Sequence, residues 1–460
     1  MLRPWHHRPV LLGPRVVIAG THSGVGKTIL ASGLIRALVR RGLRVGAAKV
    51  GPDYIDPGFH AVAAGRPGRN LDPWLCGSDV VAPLAARAGA GRDVLVIEGV
   101  MGLFDGATDG GPASTADVAR LLDAPVVLVV DARAMSGSVA ALVRGFSTHD
   151  PSVPVAGVIL NRVGSDDHEE LLRAALQPLG TPVLGVVRRH DDLVWPDRHL
   201  GLVPVAERRA EVGRLIDRVA VAVERDCDLN GLVCLARSAT ARDVGAPPTA
   251  RPTGRAVRLA VAAGPAFAFC YPDNLELLTE AGAELLPFDP LCDPALPEGA
   301  TGLYLGGGFP EVFAEALAAN RPLLFAVAAA IDAGLVTWAE CGGLLWLTRS
   351  LDGRPMAGVL ASHARMTDRL TLGYRTAAVR IANPLAAVGE QLRGHEFHYS
   401  TTDPAGDALE LTGGLGHART GSRDGWATPT LLATYLHQHL GGAPHLATRF
   451  VASAGRSSAR

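Results

Sequence analysis

Residues 15–28, RVVIAGTHSGVGKT, run an apolar stretch straight into a glycine-rich loop, and a helix-like TILASGLIRALVRRG opens behind it. A continuous β-branched run without alternation reads as a strand covered on both faces. A helix directly after it reads as the crossover of a parallel sheet. LRVGAAKV, DVLVIEGV, APVVLVVDA and VAGVILNRV repeat the pattern through the first half. The spacing predicts a doubly wound α/β domain with a parallel sheet.

The loop itself has the parts of a phosphate cradle. Backbone N–H groups at Gly24, Val25 and Gly26 can wrap phosphate oxygens, Lys27 can neutralise them, and the Thr28 hydroxyl is placed to ligate Mg²⁺. Five residues separate Gly20 from Gly26, one more than the strict motif allows, and this longer loop resembles that of dethiobiotin synthetase and its relatives. Two acidic segments follow. KVGPDYIDPGFH carries Lys49, Asp53 and Asp56, and IEGVMGLFDG carries Glu98 and Asp105. Ligands of open parallel sheets sit beyond the carboxyl ends of the strands, so these carboxylates are placed to hold metal or an attacking group. Thr28, Asp53 and Glu98 are the expected metal ligands, and Lys49 an expected nucleotide contact. Asn161 ends a strand, where it either reads an adenine edge or starts a turn.

Between residues 236 and 255 the text becomes ARSATARDVGAPPTARPTGR, without periodicity, and reads as a linker. The expected layout is a tail at 1–14, a nucleotide-using domain at 15–235, this linker, a second α/β domain at 256–447, and a tail at 448–460. The α/β rhythm restarts with VRLAVAAG and reaches GLVTWAECGGLLWL. There Cys341 sits between a strand and a helix-like segment, an elbow that exposes the thiol and favours the thiolate. Gly342 behind it, with Gly307 and Gly308 of YLGGGFPE, can turn N–H groups toward a tetrahedral oxyanion. Cys227, Cys234 and Cys292 read as inert core thiols. The base for Cys341 is either His437, at the end of TLLATYLH, or His395 in GHEFHYS.

Composition excludes several functions. Forty-four Lys+Arg against 45 Asp+Glu leave a net charge of −1, so no global field points to nucleic acid or an anionic membrane. Six cysteines without a CxxC pair argue against zinc and disulfides, and no apolar run spans a bilayer. The first 14 residues make a poor signal peptide. A reducing compartment, the cytoplasm, is expected.

Taken together, VGPDYIDPGFH, NLD at Asn70, Leu71 and Asp72, EGVMGLFDG, CYPDNLELL, YLGGGFPE, AECGGL, GHEFHYS and YLHQH resemble the cobyrinate (or hydrogenobyrinate) a,c-diamide synthases, from about residue 16 to residue 439. The resemblance implies a dethiobiotin-synthetase-like ATPase domain followed by a class I glutamine amidotransferase domain. ATP and L-glutamine would be co-substrates, Mg²⁺ the cofactor, and a corrinoid polycarboxylate the substrate; homodimerisation is left open. The resemblance places the nucleophile on Cys341, its histidine on His437 and active-site carboxylates on Asp53, Asp56, Glu98 and Asp105. It leaves a Cys–His dyad, because His439 stands where most such domains carry a glutamate that orients the imidazole. The rival readings are a nickel-sirohydrochlorin a,c-diamide synthase, a cobyric acid synthase, a ParA/MinD-like switch ATPase, and an ATP-binding regulator with a vestigial amidase.

Overall fold

A computed structural model describes residues 10–107, 110–189, 209–413 and 421–457. The chain divides into two compact units, Met1–Pro248 and Thr249–Arg460.

The first unit is built on a seven-stranded sheet. In spatial order its strands are Arg69–Leu71, Val45–Val50, Val94–Glu98, Arg15–Gly20, Val126–Asp131, Val155–Val163 and Val183–Arg188. Every pairing is parallel. All residues of Arg15–Gly20, Val45–Val50 and Val94–Glu98 are buried, which is why these runs show no alternation. Helix Lys27–Arg40 buries Leu30, Ala31, Leu34, Ile35 and Leu38. Its opposite side meets helix Arg209–Asp226 at Gly33, where a Cβ would lie 2.5 Å from Val219 Cγ1. The close approach holds this pair, since its rim ion pairs, Arg36–Asp217 and Arg40–Glu224, are part-exposed and worth under about 1 kcal/mol each.

Two segments of the first unit that the sequence left irregular are paired with one another. Leu11–Leu12, placed in a tail by the sequence reading, pairs antiparallel with Arg242–Asp243 of the expected linker. Beside them the buried Arg15 guanidinium donates to the carbonyls of Gly13, Leu122, Asp123 and Thr240. A guanidinium that finds four carbonyls removes their desolvation penalty, so a polar, aperiodic segment is fixed without an apolar stripe.

The second unit has a six-stranded sheet in the order Ala283–Phe288, Val257–Ala262, Gly302–Leu305, Val336–Glu340, Leu431–Thr434, Trp426–Thr428. Its pairings are parallel except the last. A second, largely antiparallel sheet is led by the long hairpin His363–Val379 and Gln391–Asp403. Residues 448–457 are not a tail. Helix Pro444–Ser457 buries Leu446, Phe450, Val451 and Ala454, and Phe450 meets Trp338 edge-on at 5.7 Å. Of the three thiols read as core, Cys227 is buried, whereas Cys234 and Cys292 are exposed. Among the described residues, no helix is long and apolar enough to cross a membrane.

Candidate active sites

The first site lies at the carboxyl ends of the central strands. Gly26 takes a left-handed φ of 94° as the loop turns into helix Lys27–Arg40. At Gly20 a Cβ would lie 2.7 Å from Val25 and 2.9 Å from Lys27, so only glycine lets the loop fold back this tightly. Lys27 is buried, and its ammonium donates to the His22 carbonyl at 3.2 Å. Burial first, then the nearby Lys49, pushes its pKa down to about 8. An anion brought to this loop would offset that penalty.

Glu98, Lys49, Asp56 and Thr28 form one cluster. Lys49 Nζ lies 2.7 Å from Asp56 Oδ2 and 2.8 Å from Glu98 Oε1, and also donates to the Gly99 carbonyl at 3.0 Å. Thr28 Oγ1 donates to Glu98 Oε1 at 2.7 Å and lies 3.2 Å from Asp56 Oδ2. Burial opposes the charge on Glu98, but Lys49 and His60 outweigh it and hold the carboxylate below its ordinary range. Asp56 is raised by burial and by its neighbours Asp53 and Glu98.

Several expectations change here. An ammonium has three donors, and all three of Lys49 are spent on Asp56, Glu98 and Gly99. As placed here, Lys49 therefore holds these carboxylates together. Asp53 Oδ1 accepts from Ile55 N at 2.7 Å and Asp56 N at 3.3 Å, while Asp56 is the aspartate that reaches Thr28 and Lys49. Asp105 closes a turn by accepting from Gly102 N at 2.8 Å. Asn161 Nδ2 donates to the Val25 carbonyl at 2.8 Å, bracing the phosphate loop, while its Oδ1 accepts from Arg162 N at 3.0 Å. One N–H and one lone pair remain for an adenine edge. His60 was missed: wholly buried, its Nε2 lies 2.6 Å from Glu98 Oε2. The signal was available, since Asp56 and His60 stand four apart on one helix.

The second site gathers around Cys341. Strand Val336–Glu340 ends there with φ 48° and ψ −99°, a left-handed backbone that costs a non-glycine residue about 1–3 kcal/mol. The Cys341 amide is held by the Thr434 carbonyl at 2.8 Å, and Gly343 N donates to Gly306 O at 3.0 Å. A Cβ on Gly342 would lie 2.9 Å from Gly308 N, which brings the glycine loop against the elbow. Sγ lies 4.0 Å from the Phe397 carbonyl of GHEFHYS. His437 and His395 are antiparallel bridge partners, exchanging N–H···O bonds of 2.9 and 3.0 Å, with ring centroids 5.4 Å apart. Both histidines named from the sequence are thus neighbours here.

Two expectations about this site are corrected. Gly307 is not an oxyanion donor, because its N–H is bonded to the Phe269 carbonyl at 3.0 Å. Its role is room: a Cβ there would stand 2.5 Å from His437 Cε1. Gly308 and Gly342 remain the oxyanion candidates. Nor is the thiolate favoured: burial, then Glu311, pushes the Cys341 thiol up despite the Gly342 N–H, with Glu340 and Glu396 adding to the rise. Burial, then His395 and His398, pushes His437 far down, so the pair rests neutral. On Gly308 a Cβ would meet the Ala266 carbonyl at 2.0 Å. Gly308→Ala must therefore shift the loop that lies against Gly342, and glutamine hydrolysis by this variant, followed as glutamate release, is expected to fall about 10²–10³-fold.

Residues 16–203 match the CobQ/CobB/MinD/ParA nucleotide binding domain, and residues 258–444 match the CobB/CobQ-like glutamine amidotransferase domain. A protein of Streptomyces coelicolor named hydrogenobyrinate a,c-diamide synthase is 49% identical, over 95% of this chain and 97% of its own. One of the same name from Thermobifida fusca is 45% identical, over 97% of this chain and 98% of its own. A Synechococcus protein named cobyrinate a,c-diamide synthase is 43% identical, over 96% and 99% respectively.

Proposed function

The chain belongs to the hydrogenobyrinate and cobyrinate a,c-diamide synthase family, and from that premise we propose that it amidates the a and c side-chain carboxylates of a corrinoid acid with ATP and glutamine. The observation that carries this reading is two clusters in one chain: a phosphate loop whose Thr28 bonds the carboxylate of Glu98, and a thiol elbow whose Cys341 amide is held by the strand that leads on to His437, itself paired with His395.

A carboxylate is a poor electrophile. In the first unit the γ-phosphoryl group passes to a substrate carboxylate oxygen, giving an acyl phosphate and ADP. Lys27 and the loop N–H groups stabilise the phosphoryl charge. The hydroxyl and carboxylate oxygens of Thr28, Asp56 and Glu98 converge as a hard donor set that fits Mg²⁺, which would screen phosphate charge there. In the second unit the Cys341 sulfur attacks the glutamine amide carbon, and His437 takes the thiol proton and delivers it to the departing nitrogen as ammonia. Water then splits the thioester to glutamate. Ammonia attacks the acyl carbon and phosphate leaves.

The test is incubation with Mg-ATP, glutamine and either hydrogenobyrinic or cobyrinic acid, followed by mass. Two successive carboxyl-to-amide conversions are expected, whereas ATP turnover without an amide on either acid sinks the proposal. Lys27→Ala should lower amide formation by at least about 10³-fold with glutamine or ammonium, while glutamine hydrolysis persists.

A further inference from the structure

The missing glutamate at position 439 leaves open what holds the proposed base. His439 does not fill the role. Its Nδ1 accepts from Gly441 N at 3.1 Å, its ring lies 4.5 Å from that of Tyr271, and its Nε2 faces Asp273 Oδ2 at 3.9 Å. The backbone around His437 is held differently. Glu340 Oε1 accepts from Gln438 N at 2.9 Å. Asn274 Nδ2 donates to the Gln438 carbonyl at 2.8 Å, and its Oδ1 accepts from Leu440 N at 2.7 Å. Tyr304 joins the two, donating its hydroxyl to Glu340 Oε2 at 3.0 Å and hydrogen-bonding Asn274. Glu340, Asn274 and Tyr304 are fully buried.

We propose that Glu340 and Asn274, linked through Tyr304, are positioning residues that fix the His437 loop against the Cys341 elbow, in place of the absent carboxylate. This rests on the reading that Cys341 and His437 split glutamine. Glu340 is directly joined to Cys341 in the chain, so one residue sets the elbow and grips the amide that follows His437. The bonds of Asn274 explain the CYPDNLELL segment, whose Asn reaches across more than 160 residues of sequence to this loop. Stability alone is a poor reason to bury a carboxyl group. Burial pushes Glu340 up to about 8 against the pull of Gln438 N and Tyr304, so its partners do not fully offset the desolvation. A satisfied polar network does, however, select one geometry among many.

The experiment measures kcat and KM for glutamine hydrolysis, with ammonium-driven amide formation as the check that the rest of the protein is intact. A base displaced by about 1 Å costs about 10²-fold, so Glu340→Ala should lower kcat by that factor, with KM held within about threefold. Glu340→Gln keeps an acceptor for Gln438 N and should recover kcat to within about fivefold of wild type. Asn274→Ala should fall in kcat alone, by about tenfold or more. Should Glu340→Ala fail to fold, Tyr304→Phe removes one hydroxyl and should still lower kcat with KM unchanged. Wild-type kcat in Glu340→Ala or Tyr304→Phe, a loss confined to KM, or no recovery in Glu340→Gln overturns the inference alone. A wild-type protein that leaves glutamine intact overturns the reading beneath it as well.

Discussion

Cys341→Ala should lose glutamine-driven amide formation by at least about 10⁴-fold while keeping ammonium-driven formation, because the sulfur is the only atom removed and no other group can form the thioester. The expected pattern is a split between nitrogen sources. The ammonium arm matters as much as the loss, since it reads the first unit in the same sample. Loss of both activities in a folded variant would contradict the division of labour between the two centres. The backbone gives a second variant. Cys341 sits at φ 48°, where alanine stays strained and glycine does not, so Cys341→Gly should show the same split while unfolding at higher denaturant than Cys341→Ala.

Lys49→Met should be the most damaging substitution in the first unit. Methionine fills the volume but leaves the buried Glu98 and the part-buried Asp56 without the ammonium that lies 2.8 and 2.7 Å from them. Removing one side of a buried ionic group costs about 3–5 kcal/mol, a large fraction of a domain's stability. Urea unfolding should show the midpoint falling, and amide formation should vanish with either nitrogen source while glutamine hydrolysis continues. An unchanged midpoint would mean that the two carboxylates do not depend on Lys49 for their charge. By contrast Arg44→Ala, which breaks an exposed pair with Asp93, should leave the midpoint where it was.

Local features of both centres were legible in the sequence. The strands of the parallel sheets announce themselves because burial on both faces removes alternation, and the phosphate loop and the Cys341 elbow are continuous segments with their glycines in place. What depends on partners distant in sequence was harder to read. Lys49 reads from the sequence as a nucleotide contact, and its bonds to Asp56, Glu98 and Gly99 appear only once the strands are assembled. Gly307 looks like an oxyanion donor until its N–H is found on Phe269. His60 was visible by helical spacing yet is easily taken for a surface histidine. The hairpin His363–Val379 and Gln391–Asp403 hides because its residues are largely polar and half-exposed, with a break in register between Met366 and Thr371. Helix Pro444–Ser457 was obscured by the Ser, Ala and Arg of its last turns, although Leu446, Phe450 and Val451 already mark an apolar stripe.

The strand Leu431–Thr434 is not at the edge of its sheet but is inserted between Val336–Glu340 and Trp426–Thr428. Its residue Thr434 holds the Cys341 amide, and His437 follows three residues on. In the chain the thiol therefore precedes the imidazole by a long stretch, and the strand that joins them follows the long hairpin His363–Val379 and Gln391–Asp403. Domains fold largely in the order they are made, and such distant pairings close slowly. The phosphate loop, a continuous segment, should therefore take shape before the thiol and the imidazole are brought together, so the proposed glutamine-splitting pair is a late product of folding.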